Sequence, residues 1–286
     1  MQLTFWGVRG SIPTPGEATR KWGGNSACIE VSCSGHEPLV LDCGTGARGL
    51  GAKLVGSDSR ELTLLFSHLH VDHIFGFPYF GPVYTPGYRL NVGIPAYSDE
   101  EARERLGRFL NGTFHPTRLR DIPADLNFFA VRPARTFVAS GYDVTGIRLN
   151  HPGGSIGYRI RTATAAQDIA YVTDSAPFAR PGEGVIAGEE AIPAEARLVE
   201  FLRGCDTVVY DTMYSRGEYL EKMTWGHSYP EYAVAVCRAA GVRRLVLFHH
   251  NPEATDTVLD ERLERFAKTE GLVVTQAAEG MVLDVP

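Results

Sequence analysis

Ser67-His68-Leu69-His70-Val71-Asp72-His73 places three histidines and an aspartate within six residues, directly after the apolar run 62–66. Read as a loop leaving a strand, the stretch lets His68 and His70 project to one side. The turn that follows swings Asp72 and His73 toward a neighbouring position. A lone histidine is usually a capped or core residue, but four such groups crowded together cannot be taken from water without a partner for each. Imidazole nitrogen and carboxylate oxygen suit zinc, iron and manganese, and one carboxylate can join two cations. The stretch therefore reads as parts of two metal sites.

Further ligands must arrive from distant sequence, and the candidates stand at the ends of other strand-like runs. His151 follows a run at 142–149, Asp174 follows 169–172, and His249 or His250 follows 244–248. Similar β-rich runs occur at 3–6, 28–33, 38–42, 156–160, 207–210, 272–275 and 281–285. Helical patterns lie between them: 194–203, a helix begun by Ser228-x-x-Glu231 with Pro230 in its first turn and ended by Gly241, and a stripe of Leu259, Leu263 and Phe266. From about 75 to 130 the pattern loosens into an aromatic segment with Pro and Gly. It holds one helix, opened by Ser98-x-x-Glu101, and reads as an insertion in a single domain spanning 1–286. Strands in blocks, each followed by a helix, predict an α/β fold in which two mixed β-sheets pack face to face with helices on both outer faces. Asp42-Cys43-Gly44-Thr45-Gly46 matches neither glycine-rich nucleotide-binding pattern.

In this order, His-x-His-x-Asp-His, a His, an Asp and a final His resemble the metallo-β-lactamase superfamily of dinuclear metallohydrolases. The resemblance spans nearly the whole chain. Ser155-Ile156-Gly157-Tyr158-Arg159, Trp225-Gly226-His227-Ser228 and Leu247-Phe248-His249-His250-Asn251-Pro252 are most similar to its phosphodiesterase branch, which includes the tRNA 3′-end endonuclease tRNase Z. The resemblance implies the αββα sandwich of that superfamily. It implies one metal on His68, His70 and His151, a second on Asp72, His73 and His249, and Asp174 bridging both, with His250 a neighbour of the site. It also implies two divalent ions, zinc first and manganese or iron as alternatives, that activate a water between them. Asp42 resembles the family's buried aspartate that orients a ligating imidazole, although an Asx-turn residue at a strand end reads the same way. His227, before the Ser228 cap, is the candidate proton donor, oriented by Asp211 where the family usually has Glu. Asp72 is the other candidate donor.

The chain has 286 residues, 44% hydrophobic and 22% charged, which excludes a disordered or collagen-like protein. Its formal net charge of -6 offers no global field for a polyanion. No compact, basic, glycine-rich arm of the tRNase Z kind is recognisable, so a small or cyclic phosphodiester is expected as substrate, such as a cyclic nucleotide. tRNA 3′-processing is the alternative. Hydrolysis of thioesters or lactones comes next, and a metal-binding module without turnover last. Phe75, Phe77, Tyr79, Phe80, Tyr84, Tyr88 and Phe114 read as a stacking wall, core or a homodimer contact, and Arg9, Arg118 and Arg120 as candidate phosphate holders. Scattered cysteines, no apolar run long enough for a membrane span and no export signal predict a cytoplasmic protein.

Overall fold

The structure, a computed structural model, describes residues 1–162, 168–179 and 192–286. Its strands and helices are, in chain order, β1 (Gln2–Gly7), β2 (Cys28–Ser32), β3 (Leu39–Leu41), α1 (Ala47–Val55), β4 (Glu61–Leu65), α2 (Val71–Ile74), β5 (Arg89–Pro95), α3 (Asp99–Phe109), β6 (Asp125–Val131) and β7 (Thr136–Ala139). There follow β8 (Tyr142–Leu149), β9 (Ser155–Arg161), β10 (Asp168–Val172), α4 (Pro193–Leu202), β11 (Cys205–Asp211), α5 (Arg216–Glu221), α6 (Pro230–Ala240), β12 (Arg244–Phe248), α7 (Asp256–Phe266), β13 (Val273–Gln276) and β14 (Val282–Asp284).

These form two seven-stranded sheets, ordered β14-β1-β2-β3-β4-β5-β6 and β13-β12-β11-β10-β9-β8-β7. Each is antiparallel in one part and parallel in the other. β3 to β6 run parallel in the first sheet, and β10 to β13 in the second. Alternation along the strands sends Leu3, Phe5, Ile29 and Leu41 from one sheet against Tyr158, Tyr171, Val209 and Phe248 from the other, which makes the central core. Side chains on the opposite faces, such as Val40, Leu64 and Val92, pack against Leu50 of α1 and Leu106 of α3. Val208 and Leu245 likewise pack against Leu198 of α4 and Val236 of α6. The four layers are those expected from the sequence.

Two expectations need correction. The segment at 75–130 holds more than the one helix expected in it: it supplies β5 and β6, paired in parallel with β4 and with each other. Leu90, Val92 and Ile94 alternate with Asn91 and Gly93 as a half-buried strand requires, but the prolines and glycines before them hide the period. Nor does Ser228 cap α6. Tyr229 is the N-cap and makes no side-chain cap bond, and the Ser228 hydroxyl is buried without a partner. The reciprocal capping box lies at Ser215 and Glu218, opening α5. Ser98 does cap α3, accepting from the Glu101 N–H. All five cysteines are free. No helix among the described residues is long and apolar enough to cross a membrane.

Candidate metal centre

Parallel strands deliver their carboxyl ends to one edge of a sheet, where ligands of α/β folds gather. The histidine loop leaves β4 at such an end, and Asp174, Asp211 and His249 stand at the ends of β10, β11 and β12. His151 follows β8, and His227 lies between α5 and α6. The fold brings all of them together.

Two groups share Asp174. His68, His70, His151 and Asp174 place one ligand-type atom each within 4.8 Å of one another, as do Asp72, His73, Asp174 and His249. Asp174 divides its oxygens between them. Oδ2 lies 3.6 Å from His68 Nε2 and 3.7 Å from His151 Nε2, while Oδ1 lies 3.1 Å from both His73 Nε2 and His249 Nε2. Asp72 Oδ2 closes the second group at 3.3 Å from the same two nitrogens.

A pair of cations fits this donor set. His68 Nε2 and His73 Nε2 are buried and make no well-aligned hydrogen bond among the described residues, and atoms so placed carry the cost of lost hydration. His151 Nε2 and His70 Nδ1 meet at 3.0 Å, where two imidazole nitrogens converge on one point. A cation accepts from all of these atoms at once, and nitrogen and oxygen donors in this mixture suit zinc, manganese or iron.

The surroundings hold the imidazoles in place. Asp42 is wholly buried and takes a left-handed conformation, φ 58°, which turns its carboxylate into the site. It accepts from the Ser67 N–H and hydroxyl and from the Tyr171 hydroxyl, and its Oδ2 lies 2.8 Å from His73 Nδ1. That contact selects the orienting role over a simple turn role and leaves His73 Nε2 facing the cluster. His151 is fixed by Nδ1 donating to the Gly226 carbonyl at 2.9 Å. Gly226 has φ 87°, and a Cβ there would stand 2.4 Å from that nitrogen. Gly10 is required for a similar reason, since its Cβ would meet the His249 ring at 2.5 Å. The Ser11 N–H donates to Asp72 Oδ2. Ser67, Tyr171, Ser11 and Gly226 support the cluster without a signal in the sequence, because a lone hydroxyl, a backbone donor or a glycine carries no motif.

Burial and charge act against each other here. Burial pushes the His68 imidazole well down, assisted by the neighbouring His73. Burial also disfavours a charged His73, but the carboxylates of Asp174, Asp72 and Asp42 outweigh it and raise this group. Asp72 and Asp174 lie below the usual carboxylate range because surrounding imidazoles overcome the desolvation that would raise them.

His227 and Asp211 form a separate pair beside the cluster. His227 Nδ1 lies 3.0 Å from Asp211 Oδ2, and Asp211 also accepts from the Ser175 and Met213 N–H groups. Despite burial, the Asp211 carboxylate raises the His227 imidazole to about 9. His227 thus stands against Asp211, while the Ser228 cap expected beside it does not form. His249 takes φ 59°, whereas His250 turns away, its Nε2 bonded to the Ala277 carbonyl.

Arg9 is no phosphate holder. It is buried and donates to the carbonyls of Gly23, Asn251 and Ala254. The aromatic segment divides: Phe77, Phe80 and Tyr88 belong to the core, while Phe75, Tyr79, Tyr84 and Phe114 are exposed.

Comparison with known proteins agrees with this geometry. The family described as Beta-lactamase superfamily domain matches residues 38–250. A protein named Ribonuclease Z from Pseudomonas putida is 26% identical, over 93% of this chain and 92% of that protein. Among solved structures, the metallo-β-lactamase fold protein YhfI from Bacillus subtilis superposes with a TM-score of 0.69 at 19% identity, covering 99% of this chain and 98% of YhfI. The short form of human tRNase Z gives a TM-score of 0.64 at 20% identity, with both chains fully covered.

Proposed function

The chain belongs to the β-lactamase superfamily and is a metal-dependent hydrolase of it, and on that premise we propose that it cleaves a phosphodiester bond in RNA. The observation that carries the hydrolytic part is the sharing of Asp174 between two groups of converging imidazoles. For the substrate, the support is the relative named Ribonuclease Z, matched over more than nine-tenths of both chains. That supports the tRNA-processing alternative better than the small or cyclic phosphodiester placed first from the sequence.

In this reading His68, His70 and His151 hold one cation, Asp72, His73 and His249 the other, and Asp174 both. Bound there, the two ions supply Lewis acidity, activating water as nucleophile and neutralising charge that builds on the phosphoryl oxygens. Zinc is the preferred metal.

The chain's own residues do the rest. Asp42 holds His73 so that Nε2 faces the cluster, and the Gly226 carbonyl does the same for His151. The leaving alkoxide needs a proton. Against the effect of burial, the Asp211 carboxylate favours the protonated form of His227, whose Nδ1 lies on Asp211 and whose ring stands beside His151 and His249, a position from which it can give a proton. Asp72, the other candidate, is held in its ionised form and already accepts from the Ser11 N–H. Proton donation is therefore assigned to His227.

A small phosphodiester remains the second reading, favoured by the net charge of -6. The test offers metal-loaded protein a precursor tRNA with a 3′ trailer, cyclic nucleotides, bis(4-nitrophenyl) phosphate and a panel of thioesters and lactones. Endonucleolytic cleavage of the tRNA together with hydrolysis of the nitrophenyl diester is the expected result. Turnover of cyclic nucleotides with the tRNA left intact would select the second reading. Turnover of acyl substrates alone would overturn both.

A further inference from the structure

A chain of net charge -6 has to gather any phosphate-binding charge locally, and one cavity beside the cluster does so. It has a volume of about 270 Å³, and its lining includes His68, His70, Arg105, Arg108, Gly153 and Gly154. That is below the usual range for a whole drug-sized ligand, but it is roomy enough for a phosphate and part of its sugar.

The arginines around it are not equivalent. Arg105 is consumed by the fold, its Nε and Nη2 on Glu101 Oε1 and its Nη1 on the Pro95 carbonyl. It ties α3 to the end of β5. Arg108, one turn further along α3, has its side chain 75% exposed and stands 4.0 Å from the Glu104 carboxylate, too far for a hydrogen bond. On the other side stands the turn between β8 and β9. Gly153 and Gly154 have φ 78° and 88° there, and a Cβ on Gly153 would lie 3.8 Å from His70 Nε2. Arg148, exposed on β8 and lining an adjoining cavity with His151, brings Nη2 to 3.8 Å from the corresponding point on Gly154, which the two cavities thus share as a border. Arg159 and Arg161 on β9 are by contrast spent on Asp168.

We infer that Arg108 and Arg148, on either side of the Gly153–Gly154 turn, form a subsite for a second phosphate, one nucleotide from the bond being cleaved. The inference rests on the phosphodiesterase reading and deepens it. Guanidinium forks match phosphate oxygens, the glycines leave the approach open, and the cavity is continuous with His68 and His70. A substrate with phosphates on both sides of a sugar gains from this arrangement, and one with a single phosphate does not.

The test uses full-length, metal-loaded protein and two chromogenic substrates: thymidine 5′-(4-nitrophenyl phosphate) and the same compound bearing a 3′-phosphate. The quantity read is the ratio of their kcat/KM values. The expected ratio favours the bisphosphate by roughly tenfold, and Arg108→Ala or Arg148→Ala each lowers it by up to about fivefold, as for an exposed charge pair. The double variant brings it near one, and Arg108→Lys retains part of it. Arg20→Ala, an exposed arginine near Glu17, leaves it as it was. Calorimetric affinities for thymidine 3′,5′-bisphosphate and thymidine 5′-phosphate, which are not turned over, should show the same pattern.

A wild-type ratio near one in both rate and binding, or a ratio unchanged in the double variant, overturns the subsite. Failure of the RNA reading looks different: the ratio and its loss persist while precursor tRNA stays intact. Since both side chains are exposed, the variants should melt like the parent, and melting curves check this.

Discussion

The two sheets contribute to the cluster in different ways. The first sends four of its members, His68, His70, Asp72 and His73, out of one loop after β4, held from behind by Asp42. The second sends His151, Asp174, Asp211, His227 and His249 from five separate places. Closing a loop of six residues costs little chain entropy, whereas bringing together ends spread over a hundred residues requires the whole sheet to pair first. One half is therefore a local property of the chain. The other depends on β10, β11 and β12 lying parallel and in register, so that Val172 stands beside Tyr210, and Tyr210 beside Leu247.

Removing the residue that joins the halves should do the most damage. Asp174 belongs to both groups, so Asp174→Ala should abolish metal stoichiometry and turnover together, a loss of more than about 10⁴-fold in rate given what the ions supply. Metal analysis and kinetics on one preparation check this. Full metal content in that variant would break the picture of a shared carboxylate.

Within the second half, His227→Ala should slow turnover by about 10² to 10⁴-fold, the usual worth of a general acid, with both metals retained. Loss of metal in this variant would make His227 a ligand. Within the first half, Asp42→Asn should weaken metal affinity by about 10 to 100-fold, as changes behind a ligating histidine do. Titration against a competing chelator measures it.

The smallest expected effect is a displacement along the pH axis. His227 is raised from 6.5 to about 9, chiefly by Asp211 acting against burial. A raised group contributes stability that is fully present below its unfolded pKa and is lost as pH rises through the folded one. Metal-free protein should therefore lose part of its stability between pH 6.5 and about 9. Asp211→Asn should bring this loss, and the alkaline limb of the rate profile, to lower pH by about one unit or more. Chemical denaturation across that window and a pH–rate profile report the two. An alkaline limb that stays in place would detach Asp211 from the proton.

How much was legible follows the same division. The histidine loop announced itself because its members are contiguous. His151, Asp174 and His249 were legible only as single polar residues where apolar runs stop, and it took the resemblance to order them into two sets. For His227 the Ser228 cap was a mistaken guide, and its pairing with Asp211, sixteen residues away, came from the resemblance because no local pattern links them. β5 and β6 were lost among prolines and glycines, although Leu90, Val92 and Ile94 alternate. Arg108 and Arg148 carried no pattern at all. Arg108 lines the cavity because α3 ends near it, and Arg148 comes close only through Gly154 in the turn after β8.

By itself, the order of residues determined the layered sandwich and the chemistry of the loop at 67–73, because alternation and ligand spacing are written along the chain. The resemblance already favours His249 over His250 for the second group, and tertiary structure supplies the physical reason. His249 turns inward at φ 59° to within 3.1 Å of Oδ1, while His250 is claimed by the Ala277 carbonyl. Tertiary structure alone decided which arginines are spent on the fold and which are left to face a substrate. Direction and partnership arise when strands pair and helices dock, and no one-dimensional pattern records them.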